Sequence, residues 1–120
     1  MNSINNVHHV LIMLRAPEQY DNGREAIRLA KHMQKIRQKQ TTLVLWGPQG
    51  ASFGKIGKKE NYDALIDELL SLNVKIFVCR LGLESSNLCE SDLQKGIICL
   101  DPEKIPELLL SHANELIVYF

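Results

Sequence analysis

Val74-Lys75-Ile76-Phe77-Val78-Cys79 reads as a strand that ends in a thiol. Val74, Ile76 and Val78 are β-branched and Phe77 is aromatic. Such a run suits an interior strand of a parallel sheet, where both faces are covered. Cys79 comes last, which puts it at the carboxyl edge, where ligands collect in open α/β sheets. Arg80 follows directly, and a fixed positive charge favours a thiolate. A buried cysteine is also a small apolar packing residue, so position alone leaves both roles open.

Working outward, Val7 to Leu14 is a first strand, with Val10-Leu11-Ile12-Met13-Leu14 as a continuous apolar run that predicts a central parallel position. His8 and His9 are adjacent on that strand and point to opposite faces, which argues against a shared metal ion. Arg15 to Tyr20 is a loop at the carboxyl end, and Asp21 or Asn22 caps a helix to about Gln38. Ala26, Leu29, Ala30, Met33 and Ile36 or Arg37 fall at helical spacing and give that helix an apolar stripe, while Arg24, Arg28, Lys31, Lys35 and Lys39 line another face. No aromatic residues interleave these cations, so the face reads as solvated and no nucleic-acid partner is expected.

Thr41 to Trp46 is the second strand. Gly47 to Lys59 then reads as a glycine- and lysine-rich flap over the sheet edge, where Gly47, Gly50, Lys55 and Lys58 could meet an anionic ligand. It is no Walker A loop, because Gly54-Lys55 is followed by Ile56 and Gln49 stands where the first glycine belongs. Asn61 caps a helix that buries Tyr62, Leu65, Ile66, Leu69 and Leu70, with Asn73 at C′. Beyond Cys79, Arg80 to Leu88 reads as a loop or short irregular helix, Ser91 to Gly96 as a short helix, and Gly96 to Leu100 as a fourth strand nearer the edge. A last helix with Pro106 in its first turn runs to about Ala113, and Glu115 to Phe120 is the final strand. The expectation is one domain over residues 1–120, an α/β three-layer sandwich with a mostly parallel five-stranded sheet flanked by helices.

Composition fits this. An apolar content of 45% and a charged content of 23% are ordinary for a globular protein. Three cysteines without CxxC spacing argue for a reducing, cytoplasmic setting and against a disulfide scaffold or structural zinc. The apolar run from Val10 to Leu14 is too short for a membrane span or signal segment. Residues 1–59 carry ten Lys/Arg against three Asp/Glu, and residues 60–120 carry four against eleven, so the halves balance at +7 and −7. A compact fold that mixes the halves would cancel most of this dipole.

The chain resembles the DsrE/DsrF-like (YchN-like) family of small sulfur-relay proteins along nearly its whole length. The likeness rests on the strand Val10–Leu14 with the helix around Glu25–Ala30, the strand closing on Cys79, the passage Ser91–Ile97, and the closing segment His112–Phe120. The resemblance implies that Cys79 carries a persulfide, that sulfur donor and acceptor proteins are partners, and that the subunits form a homo-oligomer, trimer or hexamer. It implies no cofactor. Arg80 and Arg15 are the supporting charges near Cys79. Cys89 reads as an ordinary loop cysteine and Cys99 as core. Two functions follow: a sulfurtransferase or persulfide carrier acting through Cys79, or a non-catalytic oligomeric module that binds an anionic small molecule or nucleotide at Gly47–Lys59.

Overall fold

Five apolar residues in succession, Val10 to Leu14, are fully buried. A strand buried on both faces needs neighbours on both sides and helices above and below. In the computed structural model, which describes residues 7–17, 21–57 and 62–120, it has them. The elements are β1 (His9–Leu14), α1 (Asn22–Lys35), β2 (Gln40–Leu45), α2 (Gly47–Ser52), α3 (Tyr62–Ser71), β3 (Lys75–Cys79), α4 (Arg80–Ser85), β4 (Ile98–Leu100), α5 (Lys104–Ser111) and β5 (Leu116–Tyr119). The five strands form one sheet in the order β4-β3-β2-β1-β5, and every pairing is parallel.

This order decides which face each helix covers. The steps β1 to β2, β2 to β3 and β3 to β4 run one way across the sheet, while β4 to β5 returns past three strands. Right-handed crossovers therefore lay the early helices on one face and α5 on the other. The side chains agree. Val10, Ile12, Leu14, Leu43, Leu45, Ile76 and Val78 share a large cluster with Ala26, Ala30, Phe53, Tyr62, Ile66 and Leu69. Among the described residues the smaller apolar cluster on the opposite face has Leu11, Met13, Val44, Cys79 and Ile105 as buried members, with Trp46, Phe77, Leu100 and Ile117 partly covered. The second helical layer is thus a single short helix.

The glycine-rich stretch after β2 differs from the predicted flap. Gly47 to Ser52 is helix α2, and Pro48 sits in its first turn, where its fixed φ suits helix entry. Gly50 lets the helix lie directly on the strand ends: a Cβ there would stand 2.3 Å from the Leu14 carbonyl oxygen and 2.9 Å from the Leu45 carbonyl carbon. The next residues are pinned as well. Ile56 N–H donates to Asp92 O (2.9 Å), Gln94 N–H donates to Gly54 O (2.9 Å), and Lys55 bridges Leu93. The buried Gln94 side chain then donates to Asp63 O (2.8 Å) and to Asp67 Oδ1 (3.0 Å), tying this passage to α3. Lys58, Lys59 and the cap Asn61 lie outside the described residues.

Smaller departures have local causes. α1 ends at Lys35, because Gln38 adopts a left-handed φ of 55°, and Ile36 is left 60% exposed. Ser91 to Gly96 forms no α-helix. A 3₁₀ turn over Glu90–Asp92 leads into the Leu93 bridge, and Gly96 takes φ 109°. Asn73, with φ 68°, is the left-handed residue after α3, as its sequence position predicts. Lys31 on the basic face of α1 meets Glu68 of α3 at 3.1 Å, so the oppositely charged halves do meet in space. At the amino edge, Glu115 accepts from the backbone N–H of His8 (2.8 Å) and of His9 (3.2 Å), with the His9 ring 3.6 Å away.

Two stability predictions follow from these contacts. Gly50→Ala forces backbone against backbone and should cost on the order of 1–3 kcal/mol, read as a lowered denaturation midpoint at constant slope. The hydrogen bonds from His8 and His9 hold the Glu115 carboxyl below its ordinary value of 4.5. Its contribution is therefore full above that value and disappears as the pH falls through the lowered one. Glu115→Gln should flatten the acid side of the stability profile, measured by urea melts across pH.

Candidate functional site

The parallel register builds a row of side chains at the carboxyl edge. Leu14 pairs with Leu45, Leu45 with Val78, and Cys79 with Leu100. One residue further on, Arg15, Trp46, Cys79 and Leu100 stand side by side on successive strands, at spacings of about 4.8 Å. Strand alternation fixes their face. Leu14, Leu45 and Val78 point into the large cluster, so Trp46, Cys79 and Leu100 belong to the α5 side. The ladder holds the first two members in place: Trp46 N–H donates to Leu14 O (2.8 Å) and Arg15 N–H donates to Phe120 O (3.0 Å).

Cys79 is buried, with 5% of its surface exposed, and it is the residue immediately before α4. Gly82 seats that helix against the start of α2, since a Cβ there would lie 2.7 Å from Gly47 O. All three cysteines are free, and Cys89 is exposed. Cys99 neighbours Cys79 across the ladder but faces the other side of the sheet. Their Cβ atoms point apart, so the two cannot form a disulfide within this sheet.

The two arginines are placed differently from each other. Arg80 Nε donates to Asp101 Oδ1 at 2.8 Å, and its Nη1 lies 3.8 Å from Glu90. The Asp101 bond raises the already high pKa of this guanidinium. The thiol whose ionisation it touches is Cys99: burial pushes that thiol up, and Arg80 pulls it back. Arg15 instead lies over the Trp46 ring, 5.5 Å from its centroid, and has no carboxylate partner among the described residues. Arg15, Trp46 and Gly47 line an open cleft of about 210 Å³. Gly47 has φ +75°, with nothing within 4 Å of where a Cβ would be.

The predicted site residues therefore separate. Cys79, Arg15 and Gly47 gather at one edge. Gly50 is a buried packing residue under α2, and Lys55 is exposed on the segment pinned to Leu93. Trp46 is the member that sequence reasoning missed. It is the only tryptophan, and its position directly after an apolar strand and before Gly47-Pro48 is the signal that marks it. Among the described residues no group of three or more His, Cys, Asp and Glu side chains could hold a metal ion, and no helix is long and apolar enough to cross a membrane.

Solved structures that match the fold along essentially the full chain include the following three. The YchN protein from E. coli superposes with a TM-score of 0.75 at 17% identity, covering 95% of this chain and 99% of that one. The chain has the YchN-like fold. A protein of unknown function from Methanobacterium thermoautotrophicum gives 0.75 at 12% identity, covering 94% of this chain and 99% of that one. Another of unknown function, from Bacteroides thetaiotaomicron, gives 0.76 at 16% identity, covering 100% of this chain and 99% of that one. No family model and no curated protein matches the sequence. The YchN-like resemblance read from the strand ending at Cys79 thus holds at the level of fold.

Trp46 stands between Arg15 and Cys79 in the row, next to the thiol on the same face. Site-resolved alkylation of the native protein should label Cys89 first, because it is exposed. Trp46→Ala should speed labelling of Cys79 about tenfold, the ratio given by a change of ~1.4 kcal/mol in the opening equilibrium, and leave Cys89 unchanged.

Proposed function

We propose that the protein handles sulfur, with Cys79 accepting sulfane sulfur as a persulfide and passing it to a thiol. The observation that carries this reading is the site of Cys79, the last residue of β3 at the carboxyl edge of a YchN-like sheet. This is the cysteine that the sequence resemblance matches to the persulfide carrier. In the loading step the Cys79 thiolate attacks a sulfane sulfur. The new S–S bond forms as the donor's S–S bond breaks, and the donor leaves with the electron pair. In the release step an acceptor thiolate attacks the outer sulfur and Cys79 departs as thiolate. Neither step needs an oxidant or a cofactor. Donor and acceptor proteins, a reducing cytoplasm and a role as sulfurtransferase or carrier belong to the same reading. Arg80 has a structural part in it, through its bonds to Asp101 and Glu90.

Assembly as a homo-oligomer fits the thin second layer. Leu110 of α5 is 75% exposed and Tyr119, on the same face of the sheet as Met13, is 60% exposed, apolar side chains that a second copy would cover. The alternative reading, a module that binds an anionic small molecule, draws support from the Arg15–Trp46–Gly47 cleft. A nucleotide is the poorer occupant, since about 210 Å³ is below the roughly 300–1,000 Å³ of pockets for drug-sized ligands.

Inorganic polysulfide separates the readings. Treated protein should gain the mass of one sulfur atom at Cys79, and the gain should disappear in Cys79→Ser while surviving in Cys89→Ser. Sulfur found only on Cys89 would sink the proposal. Sedimentation of the native protein should give a trimer or hexamer, and Leu110→Glu with Tyr119→Lys should shift it toward monomer.

A further inference from the structure

We infer that the Arg15–Trp46–Gly47 cleft is the subsite for the anionic end of a small sulfur donor, a sulfane sulfur bonded to a compact oxyanion, of which thiosulfate is the simplest. The inference rests on the reading of Cys79 as a sulfur acceptor and adds the class of donor.

Three observations meet here. Arg15 offers an exposed guanidinium with no carboxylate side-chain partner among the described residues, 5.5 Å from the centroid of the Trp46 ring. A guanidinium whose face lies toward an aromatic ring can present its N–H edge outward, and that edge matches two oxygens of an oxyanion. Gly47 keeps the opposite wall open, since its missing side chain would project into empty space. The cleft of about 210 Å³ suits an ion of a few heavy atoms better than a peptide-sized persulfide.

The register supplies the link to chemistry. Arg15 and Cys79 lie two strand positions apart, about 9.6 Å at the backbone, with Trp46 between them. An arginine side chain leaning from one end and a cysteine at the other bracket a small ion lengthwise. Its oxygens would face the guanidinium and its sulfane sulfur the thiol, with the half-buried Trp46 alongside. The step balances without a co-reactant. The Cys79 thiolate forms an S–S bond to the sulfane sulfur, the bond from that sulfur to the sulfonate sulfur breaks, and sulfite leaves with the electron pair. Cys79 is left as the persulfide anion, and the total charge is unchanged. Arg15 is placed to hold the departing sulfite.

Because Trp46 is the sole tryptophan, it reports binding directly. Thiosulfate is titrated against Cys79→Ser, which cannot react, at constant ionic strength with chloride as the control. A saturable change in Trp46 fluorescence is expected, with the affinity weakened at least about tenfold in a Cys79→Ser, Arg15→Ala double variant. Arg15→Lys, which keeps the charge and loses the fork, should fall between. In a second arm, thiosulfate should load Cys79 of the wild type with release of one sulfite per persulfide, and should fail with Arg15→Ala. Polysulfide, which carries no oxyanion, should load both alike.

No saturable signal, equal affinity in the Arg15→Ala background, or binding without loading of Cys79 would each overturn the inference. Failure of polysulfide as well as thiosulfate to load the wild type would instead overturn the reading of Cys79, and with it the donor role of the cleft.

Discussion

The order of the parallel strands is the constraint from which the rest follows. A right-handed crossover has no choice of face once the direction of travel across the sheet is set. Three steps in one direction and one return give a thick layer on one side and a single short helix on the other. The row formed by Arg15, Trp46, Cys79 and Leu100 lies on the thin side. Side chains there have little above them, which is why Trp46 and Leu100 remain half-buried although their strand neighbours are sealed.

The thin layer leaves the carboxyl edge to be shaped by backbone packing. Gly50 brings α2 onto the ends of β1 and β2, and Gly82 brings α4 onto the start of α2. In both places the neighbour is main chain, which cannot move aside as a flexible side chain can. These contacts fix where Gly47 and Cys79 sit relative to each other. Hydrogen bonds between the 92–94 segment and Gly54 and Ile56 then pin the stretch whose composition reads as a loose flap.

Much of this was legible in the sequence, and the failures share a cause. Continuous apolar runs marked β1, β2 and β3, and Asn73 marked the turn before β3, because burial on two faces and a left-handed backbone each demand particular residues. The helix at Gly47–Ser52 was not legible. Two glycines and a proline in six residues signal a turn by local preference, and tertiary packing of Gly50 against Leu14 overrode it. The bridge at Lys55–Leu93 joins residues 38 positions apart and leaves no local trace. Of the candidate site, Cys79 was found from its place at the end of a strand. Trp46 was passed over because a lone aromatic after a strand is ambiguous until the register shows what lies beside it.

The two arginines show how that register reassigns chemistry. Arg80 is next to Cys79 in the chain, and sequence proximity makes it the natural counter-charge. Consecutive residues leave a strand toward opposite faces, however, and Arg80 ends among Asp101, Glu90 and Cys99. Arg15 is 64 residues away in sequence, yet it lies two strands over on the same face of the same edge. Its charge is stacked on Trp46 instead of being neutralised by a carboxylate among the described residues. A neutralised cation contributes to holding α4 and β4 together, whereas Arg15 stands exposed beside an open cleft. The different placement of the two charges therefore comes from strand alternation and pairing.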